Sequence, residues 1–274
     1  MSAHPSDPAT TDNPPPATAA APMNTPTNAP GRQFWTRVSQ APAPVVGIIN
    51  QREQWPWDVV LDRSRPLPAA LEWRLDSIFG PDQSNAKPPP DPETLAPPPV
   101  PLLLTARHPD EGGEYQLGAA DRCSLLLHFM PLANAVDIEL RAMADMQPVV
   151  TAARELGVAV VVSSHDFQGT PSEQQLRDTV QQATEGGADA VKIATRTDDT
   201  ASLLRLLSLL AARHPDDIPL IVMGMGRLGR ASRLAAVACG SPLAYGHLGH
   251  ANISGQWHAV ELAEALIRQS CSSS

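Results

Sequence analysis

The chain has 274 residues, 42% hydrophobic but only 4% aromatic, so any large core must be built from Ala, Leu, Val and Ile. Its formal charge of −9 argues against nucleic acid and anionic membranes as partners. No apolar run approaches the ~20 residues of a membrane helix, and Cys123, Cys239 and Cys271 lack the CxxC spacing of a metal or redox site, reading instead as reduced thiols.

Residues 1–31 are rich in Pro, Ala, Thr and Asn. They are too poor in large apolar side chains to offset the entropy of ordering, and are expected to form a disordered tail. They also lack the basic and apolar regions of a secretory signal, so a cytoplasmic location is expected. The rest, 32–270, reads as one catalytic domain.

Short apolar runs then recur at 44–50, 70–76, 100–107, 135–140, 158–167, 188–195, 219–226 and 242–249. Amphipathic helical patterns occupy 145–157, 172–187, 200–214, 229–240 and 257–269. Near-continuous apolar strands alternating with such helices predict a parallel sheet covered by helices, and eight units favour a closed (β/α)8 barrel. Residues 79–99 carry too many prolines for a second helix, so an irregular proline-rich segment is expected in its place. No GxGxxG follows the first strand, which removes the main support for a dinucleotide site.

Strand alternation puts Glu72, Arg74 and Asp76 on one face, and likewise Asp137 with Glu139. In a barrel those charged faces belong at the C-terminal mouth, where barrel enzymes keep their active sites. Arg107, His165 and Arg233 lie at or just beyond strand ends. Of the chain's 20 basic residues only Lys87 and Lys192 are lysines, and Lys192 sits inside the apolar run DAVKIAT. A buried lysine in so lysine-poor a chain calls for a chemical reason, because an amine attacks a ketone only when neutral and an apolar setting favours that form.

Seven motifs in order, EWRLD (72–76), TARHPDEGG (105–113), VDIEL (136–140), SSHDFQGTP (163–171), DAVKIAT (189–195), MGMGRLGRASR (223–233) and SGQ (254–256), resemble those of type I 3-dehydroquinate dehydratases. The resemblance spans about 44–268. It implies a metal-free, cofactor-free carbon–oxygen lyase of the shikimate pathway, and a homodimer. Lys192 matches the imine-forming lysine, His165 the general acid/base and Glu111 the carboxylate that orients it. Glu72, Arg74 and Arg107 match groups around the substrate hydroxyls; Arg233, expected to pair bidentately, and Gln256 match groups around the carboxylate. Met223 and Met225 match pocket-lining residues. The run Asn252-Ile253-Ser254 stands where the family usually has Ser-Ala-Pro, with Asn252 as a replacement donor. The alternatives are another Schiff-base lyase or aldolase on the same barrel, and a catalytically impaired relative that binds a metabolite.

Overall fold

The computed structural model describes residues 32–51, 61–62, 64–80, 89–214, 216–251 and 254–271. The expected disordered tail, Lys87 and Asn252 lie outside these residues.

Nine strands form one wholly parallel sheet in the order β7-β6-β5-β4-β3-β2-β1-β8-β9. The strands are β1 (Val45–Ile49), β2 (Ala70–Arg74), β3 (Leu102–Thr105), β4 (Ala135–Glu139), β5 (Ala159–Asp166), β6 (Ala190–Arg196), β7 (Leu220–Met225), β8 (Ala244–His247) and the two-residue β9 (Trp257–His258). Helices α3 (Ala119–Phe129), α4 (Gln147–Leu156), α5 (Glu173–Glu185), α6 (Thr200–Ala211), α7 (Gly229–Ala238) and α8 (Ala259–Cys271) cover it, giving the (β/α)8-type barrel the sequence predicts. Three helices are unanticipated: α3, α1 (Arg32–Ser39) and the short α2 (Leu75–Phe79) directly after β2. The alternation expected to run on to Asp76 therefore stops at Arg74. Between β2 and β3 the described residues hold only α2 and a single 3-10 turn, Pro92–Thr94, and residues 81–88 are not described. Among the described residues no helix is long and apolar enough to cross a membrane.

Strand alternation divides the core in two. Leu71, Trp73, Leu104, Val136, Ile138, Val160, Val191 and Val222 point outward and pack with the helices. Val46, Ala70, Leu103, Ala135, Ala159, Ala190, Ile221 and Leu243 point into the barrel. Four of these inward residues, at the N-terminal ends of β2, β4, β5 and β6, are alanines, too small to fill a barrel floor between them. Phe34, Trp35 and Val38 of α1 join that inner cluster at 1, 2 and 1% exposure. Helix α1 thus plugs the bottom of the barrel with aromatic rings, Phe34 and Trp35 meeting edge to face at 5.0 Å. The Trp35 indole N–H has no acceptor among the described residues, so the plug fits by volume.

At the other end of the sheet, β7 and β8 share no hydrogen-bonded ladder. Arg233 of α7 spans that seam: Nε donates to Tyr245 O (2.8 Å), and Nη1 to Gly224 O (2.8 Å) and Gly229 O (2.7 Å). Gly255, at φ +79°, lets the 254–256 loop close over the seam, since a Cβ there would lie 2.1 Å from Gly226 O.

Trp35→Ala should lower the unfolding free energy by about 3–5 kcal/mol in urea titration, and Trp35→Phe by clearly less. Equal losses for both would show that volume is not what the plug supplies.

Candidate active site

The inward side chains of the upper barrel are charged, and nearly all are buried. Glu72, Asp137 and Glu139 are 1–2% exposed, Arg107 2%, Lys192 3% and Arg122 2%. Groups so deep must be paired. Arg107 is the hub, with Nη1 2.8 Å from Asp137 Oδ1, 3.0 Å from Glu139 Oε1 and 2.7 Å from Ser163 Oγ, and Nη2 3.5 Å from Glu72 Oε1. Arg122 of α3 supports it from behind, donating to Glu139 Oε2 at 2.9 Å. Lys192 Nζ lies 2.8 Å from Asp137 Oδ2, 3.4 Å from Glu72 Oε1 and 4.3 Å from the centre of the Tyr245 ring. Burial alone would raise the Asp137 pKa, but the charges of Arg107 and Lys192 and the hydrogen bond from Arg107 hold it well below the usual carboxylate range.

A second group sits over this one. Asp76, buried in α2, takes both ends of the Arg74 guanidinium (3.0 and 2.8 Å) and the Arg107 backbone N–H (3.0 Å). Arg74 also donates to Gly112 O at 2.9 Å, tying down the turn that presents Glu111. Glu111 Oε2 lies 2.9 Å from both the backbone nitrogen and Nδ1 of His165. His165 is on β5, two residues beyond Ser163, the register partner of Lys192 on β6. Adjacent strands thereby bring the imidazole and the amine to one cavity.

That cavity is lined by Glu72, Arg74, Arg107, Glu111, His165, Lys192, Met223, Met225, Arg233 and Gln256, with Ile48, Gly112, Phe167, Ala194 and Tyr245 completing the wall. All the sequence-predicted site residues that are described therefore lie around a single space. Over residues 61–270 the chain matches the family described as type I 3-dehydroquinase. The chain belongs to the type I 3-dehydroquinase family. It is 36% identical over 172 residues to a 3-dehydroquinate dehydratase of Bacillus licheniformis, covering 61% of this chain and 68% of the relative. One from Methanothermobacter thermautotrophicus is 33% identical over 187 residues, covering 68% and 78%. The crystal structure of 3-dehydroquinate dehydratase from Geobacillus kaustophilus superposes with a TM-score of 0.72 at 27% identity, covering 85% of this chain and 93% of that one.

Two features of this type I 3-dehydroquinase differ from what its sequence suggests. Lys192 is not in a purely apolar pocket: its strand neighbours Val191 and Ile193 point outward, and its amine faces two carboxylates and an aromatic ring. Arg233 has Nε and Nη1 committed to backbone carbonyls, so Nη2 is the end that has no partner among the described residues. Sequence reasoning also missed Arg122, because a buried arginine on a helix has the same spacing as a solvated one. It passed over Tyr245, which reads as one more apolar strand residue.

Burial, with the charges of Arg107 and Lys192, lowers the His165 pKa well below its ordinary value, leaving the ring neutral near pH 7. Burial also pushes Glu111 up to about 7, against the pull of Arg107. Above that pH the ionised Glu111 accepts Nδ1–H, and Nε2 keeps a lone pair for taking a proton. Below it the protonated carboxyl donates to Nδ1, the ring hydrogen moves to Nε2, and that lone pair is lost. Turnover should therefore rise as pH increases through about 7, and Glu111→Gln should abolish that rise in a kcat–pH profile. An unchanged profile in the variant would assign the ionisation elsewhere.

Proposed function

We propose that this chain dehydrates 3-dehydroquinate to 3-dehydroshikimate through a Schiff base on Lys192, with His165 moving the protons. The observation that carries the reading is a buried primary amine in the same cavity as an imidazole anchored through Nδ1 to a carboxylate. After losing its proton, the Lys192 amine adds to the substrate ketone and expels water, giving an iminium that withdraws electrons from the neighbouring carbon. His165 Nε2 removes the proton from that carbon, forming an enamine. The resulting imidazolium returns the proton to the departing C1 hydroxyl, which leaves as water, and hydrolysis of the iminium frees the product and the amine.

The surrounding groups suit recognition. Glu72 Oε2, which has no partner among the described residues, can accept from a substrate hydroxyl, while Arg74 and Arg107 set the positive potential around it. The substrate carboxylate would meet Nη2 of Arg233 and the Gln256 amide at the seam. Because Nε and Nη1 of Arg233 already serve backbone carbonyls, the contact is single-ended rather than a bidentate fork. Asn252, outside the described residues, remains a candidate donor from the same loop.

With only two lysines in the chain, the chemistry is easy to map. Borohydride added during turnover of 3-dehydroquinate should leave one substrate-sized adduct, on Lys192, as read by peptide mass spectrometry. An adduct on Lys87 or none, together with no conjugated enone in the ultraviolet, would defeat the proposal. His165→Ala should still form the adduct but lose most of its turnover, by at least about 100-fold; undiminished dehydration would remove His165 from the mechanism.

A further inference from the structure

Tyr245 stands on β8 with its side chain inside the barrel, 1% exposed, and the Lys192 amine 4.3 Å from its ring centre. We propose that the face of this ring holds the positive charge of the Lys192 nitrogen, first as the ammonium and then as the iminium of the covalent intermediate. The inference rests on Lys192 being the imine-forming residue.

The nitrogen loses hydrogens as the intermediate forms. The free ammonium has three N–H donors and faces two carboxylates, Asp137 at 2.8 Å and Glu72 at 3.4 Å. Forming the imine replaces two of those N–H bonds with a C=N bond, so the cation keeps one donor and can hydrogen-bond only one carboxylate. The attraction of a cation to an aromatic face needs no N–H. It therefore persists unchanged in kind when the hydrogen bonds are thinned out, and the absence of water around a fully buried ring strengthens it.

The hydroxyl points to the same role for the ring. Tyr245 Oη is buried and has no hydrogen-bond partner among the described residues, an arrangement that costs stability. What the site draws from this side chain is thus its π face. Burial, reinforced by the negative charges of Glu72 and Asp137, drives the phenol pKa well above its ordinary value, so the group stays neutral through the working pH range.

Ring-fluorinated phenylalanines at position 245 keep the shape while draining the negative face step by step. The logarithms of kcat and of the borohydride-trapped fraction of Lys192 should fall with each added fluorine. Tyr245→Phe should retain most of the trapped fraction, whereas Tyr245→Leu should lower it about tenfold or more relative to Tyr245→Phe. A flat fluorine series, or leucine matching phenylalanine, would overturn the role of the ring while leaving the lysine assignment intact. No adduct on Lys192 in the unmodified chain would overturn both.

Discussion

Arg107 reaches two aspartate or glutamate carboxylates at 3.0 Å or less, and the innermost cluster of buried ions in this barrel is built around it. Glu72, Asp137 and Glu139 supply three negative charges, and Arg107, Arg122 and Lys192 three positive ones, all nearly inaccessible to water. Taking such charges out of water is expensive, and removing one partner from a buried pair typically costs about 3–5 kcal/mol. The cluster is consequently a rigid frame with a place reserved for one positive charge at the Lys192 nitrogen. In the proposed mechanism the iminium carries its charge at that same place.

The frame also explains why the site is assembled from so many strands. Glu72, Arg107, Asp137, Ser163 and Lys192 come from β2, the end of β3, β4, β5 and β6, five neighbours in the sheet. Ser163 is the direct register partner of Lys192, whereas Asp137 pairs with Thr105 and Val161, each two residues short of Arg107 and Ser163, and Glu72 pairs with Leu103. The ring is therefore stepped along the strands, and the long side chains close the gaps. The dehydratase chemistry proposed here uses one member of this ring, Lys192, together with His165, two residues beyond Ser163 on β5.

The alternation of apolar strands and amphipathic helices made the barrel legible, and period-2 spacing placed Glu72 with Arg74 and Asp137 with Glu139 correctly on inward faces. The scarcity of lysine singled out Lys192. What stayed hidden was pairing between distant segments. Nothing local in the sequence says that Asp137 meets Lys192, or that Arg233 spends its donors on the β7–β8 seam, because those contacts arise only when the sheet closes. Helix α1 escaped for a related reason. Eight residues between a proline-rich stretch and the first strand give no clear helical signal of their own until the alanine floor that receives Phe34 and Trp35 is seen.

That floor bears on where the working unit begins. The match to the family begins at residue 61, yet β1 and the aromatic stopper both precede it. A fragment cut at that boundary would lose the strand that joins β2 to β8, and would leave a hollow beneath the charged ring. The matched stretch and mechanical completeness thus have different edges in this molecule, and the second extends back at least to Phe34.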